Sequence, residues 1–392
     1  MSRLYQLLDI APGFAAGRGE SRRVLDTELL PHRDDVLHRF VQTLAALDRR
    51  GPTDRARQIA AQPVNRLVEE ALAALRARPG AVLPRAQLLG LETVVRADGT
   101  RPSLILKHGA VDPDHPLAGD WRETLAATQD EVWNIARATA RVQARSGSRN
   151  NYFGTGFLFD RDRGFMVTNR HVASAALSKA IAPVRSRRPH SQIDTYRLYG
   201  DLIQCEFDGE LDSGASLRCA VREIFLPPWP YRPDRPTLDV AVLRLEPLGG
   251  ALLPDALRIA ARPLFEQPGA LTSVCTVGFP ATPRHRTGVV GGIDWGYVDK
   301  TLFGEQYGVK RLAPGEVHRR IGQGEFGRYF AFGHDASTLG GSSGSGVFAW
   351  LDGTTAFGLH FFGASADTNL AHGFGAAETS SLLEELGILQ PR

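Results

Sequence analysis

The chain has 392 residues, of which 43% are hydrophobic and 23% are charged, and its formal net charge is +3. This composition is that of a globular protein and excludes wholesale disorder, and the length is sufficient for two or three domains at about 150 residues each. No run of 18 apolar residues occurs in the sequence, so a membrane-spanning helix is excluded and no membrane partner is expected.

The first 145 residues are predicted to form a helical region. Apolar side chains repeat at helical spacing over residues 37–47 and 67–75, and a further helix is predicted over residues 120–143. Between these helices, residues 101–108 are typical of an extended segment. The apolar stripes must be buried against other surfaces, so we expect the region to be a pro-segment, a regulatory clamp or a docking domain for a regulatory protein partner.

A polar linker at residues 145–151 separates this region from a part of the chain with a different pattern. Beyond it, apolar runs of four to seven residues alternate with Gly, Pro and Asp turns. The clearest runs are residues 156–159, 165–168, 240–243, 273–277, 347–351 and 354–360. The last two flank Asp352 and Gly353, a strong hairpin signal. Such short, regular strands predict a mainly β fold, a barrel or a sandwich, and a final helix is predicted from about Glu378 to Leu386.

Three local patterns in this second part indicate nucleophilic catalysis. They are TNRHV at residues 168–172, which contains His171, LDVAVL at residues 238–243, which contains Asp239, and GGSSGSG at residues 340–346, which contains Ser343. A serine hydroxyl becomes a good nucleophile when a histidine accepts its proton, and a buried carboxylate orients that histidine and stabilises its charged form. The chain order His, Asp, Ser is that of chymotrypsin-type triads.

Each pattern has an ordinary interpretation when it stands alone. A lone histidine after a strand is usually structural, an aspartate at a strand start usually caps a turn, and a Gly/Ser run is usually a loop or, less often, a phosphate cradle. A cradle is excluded because no Lys-Ser/Thr pair and no helix follows, and an α/β-hydrolase site is excluded because Ser343 lacks a G-x-S-x-G context. The backbone N–H groups of Gly341 and Ser343 are the expected oxyanion donors, since a side chain at Gly341 would hinder the turn that aims them.

On these motifs the sequence resembles the bacterial trypsin-like serine peptidases of the chymotrypsin fold and is similar to the glutamyl endopeptidases. Further blocks carry the resemblance: GTGF at residues 154–157, VGFP at 277–280, KRLAPG at 310–315, HDASTL at 334–339 and GLH at 358–360. The resemblance covers about residues 150–392. It implies a mainly β, chymotrypsin-like double β-barrel, with two six-stranded barrels and the site in the cleft between them. The N-terminal α-helical region lies outside the resemblance and is predicted from its apolar pattern alone.

The activity implied by the resemblance is that of a serine endopeptidase. Protein or peptide substrates would be cut through a triad of Ser343, His171 and Asp239, and no cofactor is expected. A catalytically silent trypsin-like module, which binds peptides without cutting them, is the alternative from another class. All three triad residue types are present in the expected order, which favours the enzyme.

The resemblance also bears on substrate preference and on control of activity. Relatives that cut after Lys or Arg carry a carboxylate six residues before the nucleophile, where this chain has Ser337. Thr338 and His360 stand where the glutamyl endopeptidases carry the threonine and histidine that bind a substrate carboxylate, so an acidic preference is expected, with an apolar pocket beside His360 as the alternative. Zymogen-activated relatives have Asp immediately before the nucleophile. Here that residue is Ser342, so control through the N-terminal region is expected.

The remaining observations concern other sites and the location. Cys205, Cys219 and Cys275 are too few, and lack the CxxC spacing, for a disulfide framework or a zinc site, so we expect buried reduced thiols and no metal. Arginines make up 42 of the 46 basic residues, but a net charge of +3 is too small to indicate a nucleic-acid partner. The first 23 residues contain no apolar stretch of signal-peptide length, so a cytoplasmic location is expected.

Overall fold

The computed structural model describes residues 100–212, 217–227, 238–264, 273–283, 289–290, 293–321, 331–350, 353–363, 369–375 and 377–388. The helices predicted over residues 37–47 and 67–75 lie outside the described residues, so the helical character and the role of the first 99 residues stay predictions. Within the described part of the chain, no helix is both long enough and apolar enough to cross a lipid bilayer.

The described residues form mainly strands. The strands are β1 (Leu104–Ile105), β2 (Thr139–Ala144), β3 (Gly154–Asp160), β4 (Phe165–Thr168), β5 (Val184–Arg187), β6 (Asp194–Arg197), β7 (Ile203–Glu206), β8 (Arg218–Leu226), β9 (Ala241–Pro247), β10 (Arg258–Ile259), β11 (Ser273–Gly278), β12 (Val289–Val290), β13 (Ile293–Asp294), β14 (Arg311–Ile321), β15 (Ala331–His334), β16 (Gly346–Ala349), β17 (Thr355–Gly363) and β18 (Asn369–Gly373). The helices are α1 (Arg122–Ala127), α2 (Gln129–Ala138), α3 (Arg170–Leu177), α4 (Trp295–Tyr297) and α5 (Ala377–Glu385).

The first barrel is closed by six strands. Its hydrogen-bonded order is β8-β7-β2-β3-β4-β9, and β9 pairs back with β8. The hairpin of β5 and β6 extends the sheet from β8. Fully buried apolar side chains from facing strands fill the interior, among them Val142, Phe157, Val167 and Val242. Closure leaves no free edge between these six strands, which removes the usual site of edge-to-edge aggregation.

The second barrel is also closed by six strands. Its order is β14-β11-β16-β17-β18-β15, and β15 pairs back with β14. β16 and β17 form the predicted antiparallel hairpin, with Gly353 at a φ of 63° just before β17. β1 adds to the outer edge of β14, so the predicted extended segment is part of this barrel. The chymotrypsin-like double barrel is therefore confirmed.

The structure differs from the sequence analysis where α2 meets β2. The helix predicted to end near residue 143 ends at Ala138, and the next six residues form a central strand of the first barrel. The extended form is required because Arg141 and Gln143 lie on one face of β2 and both donate to Glu206 of β7, at 2.6 and 2.9 Å. The first barrel thus begins before the boundary that the sequence places between residues 145 and 150.

Buried polar contacts join the two barrels. The Lys310 ammonium, at the start of β14, donates to the carbonyl oxygen of Ala136 at 2.5 Å and to that of Phe207. Arg141 of the first barrel donates to the carbonyl oxygen of Gly308 at 2.5 Å. Burial lowers the pKa of Lys310 to about 8, against the opposing effect of nearby carboxylates. These contacts fix the cleft, because each links a side chain of one barrel to the main chain on the other side.

Candidate active site

Strand register brings the predicted histidine and aspartate together. β4 and β9 are antiparallel neighbours, and Thr168 at the end of β4 lies opposite Ala241 at the start of β9. The residues that follow β4 therefore lie beside those that precede β9. His171 is the second residue of α3, which begins immediately beyond β4, and Asp239 stands two residues before β9. This juxtaposition results from the sheet, although 68 residues separate the two side chains in sequence.

Hydrogen bonds hold Asp239 on every side. Its Oδ2 is hydrogen-bonded to Nδ1 of His171, and its Oδ1 accepts from the His171 amide at 2.9 Å. The side-chain amide of Asn169 donates to the main-chain carbonyl oxygen of Asp239 at 2.8 Å. The main-chain N–H of Asp239 donates to Nε2 of His372 at 2.9 Å. Asp239 is only 1% exposed, and a buried carboxylate needs such donors to stay ionised. The pair orients the His171 ring with Nδ1 toward the carboxylate and Nε2 away from it.

The loop between β15 and β16 presents Ser343 to the cleft. The Ser343 carbonyl oxygen accepts from the Thr155 N–H of β3 at 2.9 Å, and the Thr155 hydroxyl donates to the Gly341 carbonyl oxygen at 2.7 Å. The loop is thus fastened to the first barrel. Ser343 is partly exposed, whereas Ser342 and Ser345 are 6% and 1% exposed. Of the three serines in this loop, Ser343 is therefore the one that a substrate can reach.

Gly154 shows how closely this loop approaches the histidine helix. A Cβ added at Gly154 would lie 2.6 Å from Cγ2 of Val172, the neighbour of His171, and 3.1 Å from the carbonyl oxygen of Ser343. A glycine is needed because the α3 side chain and the serine loop press on the same point of β3. The structure therefore brings Ser343 beside the start of α3, on the side of the cleft that holds His171 and Asp239.

The main-chain N–H groups of the serine loop divide into two sets. Those of Ser342, Gly344 and Ser345 donate to carbonyl oxygens of Leu339, His360 and Ser342. Among the described residues, no protein acceptor is hydrogen-bonded to the N–H groups of Gly341 and Ser343. Gly341 has a φ of 85°, which an L side chain rarely adopts, and the two N–H groups without an acceptor flank Ser342. Two unengaged donors on either side of one residue are a suitable site for an anionic oxygen.

Comparison with known proteins identifies the family. A family model described as a trypsin-like peptidase domain matches residues 154–356, just over half of the chain. A probable serine protease of Lysobacter enzymogenes is 37% identical over 297 residues, which are 74% of this chain and 74% of that protein.

The chain belongs to the trypsin-like serine peptidases. Its activity class is that of a serine-type endopeptidase. Among solved structures, the serine endoprotease of Yersinia pestis aligns over 66% of either chain at 17% identity with a TM-score of 0.34. The inactive form of the Rv3671c protease aligns over 71% of this chain and 98% of that one, at 18% identity and a TM-score of 0.34.

The two residues expected to contact the substrate lie buried in the second barrel of this peptidase. The Thr338 hydroxyl donates to Oδ1 of Asn369 at 2.7 Å. His360 is 4% exposed, and its Nδ1 has no hydrogen-bond partner among the described residues. Burial, with a smaller contribution from nearby His171, lowers the pKa of His360 to about 3. Its ring is therefore uncharged at neutral pH.

Two groups that the sequence analysis missed support the aspartate of the peptidase. Asn169 immediately precedes α3, and its residue type is common at helix N-termini, which is the signal that could have found it. His372 lies in β18 of the second barrel, where its ring stacks on Phe361 with centroids 3.8 Å apart. No local pattern around His372 indicates a contact with Asp239, because that contact depends on how the barrels meet.

The thiols and acidic groups that the structure describes in this peptidase form no metal site. Within the described residues, no cluster of His, Cys, Asp and Glu is arranged to hold a metal ion. Cys205, Cys219 and Cys275 are buried and reduced. Burial raises the pKa of Cys219 to about 12 and also raises the pKa of Cys205. These thiols are therefore poor nucleophiles and metal ligands.

Proposed function

We propose that Ser343, His171 and Asp239 form the catalytic triad that hydrolyses peptide bonds. The observation that carries this proposal is the His171–Asp239 pair, held by four hydrogen bonds beside the exposed serine of the loop. His171 Nε2 takes the proton as the Ser343 hydroxyl attacks the scissile carbonyl carbon, and it then gives that proton to the leaving amine. Water hydrolyses the resulting acyl-enzyme with the same histidine as base.

The N–H groups of Gly341 and Ser343 are proposed to bind the oxygen of the tetrahedral intermediate. Negative charge develops on that oxygen as the carbonyl becomes tetrahedral, and fixed main-chain donors stabilise it without reorganisation. Support comes from the lack of a protein acceptor for these two groups within the described residues. Asp239 stabilises the imidazolium that forms in the same step and keeps the proton of His171 on Nδ1 beforehand.

Labelling with a fluorophosphonate probe tests this assignment, because the probe reacts with an activated serine. The wild-type chain is expected to be labelled and Ser343→Ala is not. Ser342→Ala and Ser345→Ala are matched controls from the same loop and should keep the label. Labelling of Ser343→Ala at the wild-type rate would overturn the triad. A wild-type chain that folds, binds peptides and takes no label would instead indicate the silent binding module.

For substrate preference, we propose that Thr338 and His360 favour an acidic side chain before the scissile bond. A carboxylate entering a partly desolvated pocket needs donors, and a hydroxyl and an imidazole supply them. Since burial lowers the pKa of His360 to about 3, the ring would donate as a neutral group, and the preference should not depend on pH between 6 and 8. The Thr338 hydroxyl would have to turn from Asn369 toward the substrate.

An apolar preference is the second candidate, favoured by the uncharged, buried ring of His360. Matched substrates with Glu, Phe, Ala or Arg before the scissile bond separate the two. Faster cleavage after Glu, lost selectively in His360→Gln, supports the acidic pocket. Fastest cleavage after Phe with an unaltered ranking in His360→Gln supports the apolar pocket and rejects the acidic one.

The cytoplasmic location and a regulatory protein partner are part of the same proposal. Three buried reduced thiols support a reducing compartment. Fractionation of cells that express the tagged chain tests the location. Capture of proteins on the Ser343→Ala variant, with and without residues 1–99, tests whether the N-terminal region recruits a partner.

A further inference from the structure

Arg101, which precedes the first barrel in sequence, contacts the second barrel next to the expected specificity pocket. Its Nε donates to Oδ1 of Asp335 at 2.7 Å, and its Nη2 donates to Oε2 of Glu316 at 3.1 Å. The side chains of Arg101 and Asp335 are 13% and 6% exposed, so the ion pair between them is largely shielded from water. Such a pair is screened far less than one on the surface.

The main chain of Arg101 makes a second contact with the same stretch. The Ser337 hydroxyl donates to the carbonyl oxygen of Arg101 at 2.5 Å. Ser337 stands six residues before Ser343, where trypsin-like relatives place the base of the primary pocket. Arg101 therefore holds residues 335–337 twice, through its guanidinium and through its carbonyl group.

The neighbouring strand fastens this stretch from the other side. The Glu316 N–H of β14 donates to Oδ1 of Asp335 at 2.7 Å, and the Asp335 N–H donates to the Glu316 carbonyl oxygen at 3.1 Å. Asp335 thus links Arg101 to the wall of the second barrel. Loss of the guanidinium would leave a buried carboxylate without this cation, which is costly unless the loop moves.

Arg101 itself is held in place by its own surroundings. The Trp121 indole N–H donates to the Thr100 carbonyl oxygen at 2.9 Å, and the guanidinium lies over the Trp121 ring, 5.4 Å from its centroid. Trp121 stacks on Trp350, which directly follows β16 of the second barrel. Three residues beyond Arg101, β1 pairs with β14. The cation is therefore presented by a rigid frame that includes both the upstream segment and the second barrel.

We propose that Arg101 is a positioning residue that sets the shape of the primary specificity pocket through residues 335–337. The inference rests on the proposed function, because it takes Ser343 as the nucleophile. A cation from the segment upstream of both barrels thus orders the pocket loop. Ser342, the residue before Ser343, has no carboxylate that could pair with this cation, whereas Asp335 has one and pairs with Arg101.

Steady-state kinetics on matched Glu, Phe, Ala and Arg substrates test the inference in the full chain. Arg101→Gln should raise KM for the preferred substrate and lower kcat/KM by about 10²-fold, because displacement of a pocket wall by about 1 Å can cost that much in rate, and it should flatten the ranking of the four substrates. Arg101→Lys keeps a cation and should retain part of the ranking. Arg145→Ala removes an exposed ion pair with Asp201 on the first barrel and should leave kinetics unchanged.

Fluorophosphonate labelling of the same variants separates this inference from the proposed function. The small probe does not need the pocket, so Arg101→Gln should be labelled at close to the wild-type rate while peptide cleavage falls. Wild-type KM and ranking in a labelled Arg101→Gln would overturn the inference and leave the triad intact. A parallel loss of labelling and cleavage, with recovery of neither in Arg101→Lys, would also overturn it. Absence of labelling in the wild type would overturn the proposed function.

Discussion

The two barrels contribute different kinds of groups to the cleft. The first barrel supplies side chains, His171 and Asp239, placed by the register of β4 and β9 and fixed by hydrogen bonds. The second supplies a loop of main-chain donors whose direction depends on residues with positive φ, Gly341 and Gly344. Proton transfer requires two side chains in a fixed orientation, whereas stabilisation of a developing oxyanion requires main-chain dipoles that are already turned. In the proposed mechanism, the first barrel thus supplies the base and its carboxylate, and the second supplies the oxyanion donors together with the nucleophile, Ser343.

Two buried histidines, one in each barrel, also differ in their surroundings although they are the same residue type. His171 of the first barrel is hydrogen-bonded through Nδ1 to the carboxylate of Asp239. His360 of the second barrel lies in an apolar environment beside the ring of His334, 5.4 Å between centroids, and burial lowers its pKa to about 3. The ring of His360 is therefore neutral at neutral pH, and its Nδ1 has no hydrogen-bond partner among the described residues. Position in the fold, not residue type, decides which of the two histidines a carboxylate orients.

The largest expected effect is that of removing the proposed nucleophile, Ser343, from the loop of the second barrel. Ser343→Ala should lower kcat by about 10⁶-fold, leaving roughly 10³-fold catalysis over water from binding and the oxyanion donors. Single-turnover cleavage of a fluorogenic peptide measures this loss. Ser342→Ala should retain near wild-type activity because the Ser342 side chain is buried and a substrate cannot reach it. If Ser342→Ala is inactive and Ser343→Ala is not, the neighbouring serine is the nucleophile.

A substitution of Asp239 in the first barrel should lower kcat by a smaller factor than the loss of Ser343. Asp239→Asn should lower kcat by about 10⁴-fold with the fold retained, because an amide in place of the carboxylate favours the wrong tautomer of His171. Steady-state cleavage of a fluorogenic peptide measures the loss in kcat. Asp194→Asn is the matched control, because Asp194 is ion-paired to Arg185 and Arg187 in the β5–β6 hairpin that extends the same sheet beyond the barrel. An Asp239→Asn variant with unchanged kcat contradicts the role given to the pair.

A substitution in the serine loop should have an intermediate effect. Gly341→Ala should lower kcat by about 10²–10³-fold, the range found when one oxyanion donor is lost. The added Cβ would meet the Phe279 carbonyl oxygen at 2.6 Å, at a φ of 85°, so the turn must move. Gly200→Ala is the control, because Gly200 also has a positive φ, 72°, but has nothing within 4 Å of the added Cβ. Equal losses in both variants would assign the effect to backbone strain alone.

The sequence predicted the parts of this comparison that depend on local pattern. The short apolar strands, the hairpin of β16 and β17 and the glycine-rich loop could be predicted, because apolar strand patterns and turn residues act over a few positions. The extended form of β2 was not recognisable, since Thr139 and its successors are extended only through pairing with β3 and β7. Arg101, Asn169 and His372 were missed for the same reason, because their partners lie 234, 70 and 133 residues away.

The smallest expected effect concerns the neutral histidine of the second barrel and acid stability. The pKa of His360 is about 3 in the folded chain, below the ordinary value of 6.5. Between these values the unfolded chain binds a proton that the folded chain does not, so His360 contributes stability above pH 6.5 that is lost as the pH falls toward 3.

The free energy of unfolding should therefore fall more steeply with acidification in the wild type than in His360→Gln, by up to about 1.4 kcal/mol per pH unit between pH 6 and 4. Urea unfolding followed by tryptophan fluorescence measures the two slopes. The carboxylates, which both chains share, contribute equally to the two slopes, so their contribution cancels in the difference. His108→Asn is the control for the loss of an imidazole, because the His108 side chain is exposed in the folded chain. Parallel slopes for wild type and His360→Gln would mean that His360 accepts a proton inside the barrel, and the distinction between the two histidines would then fail.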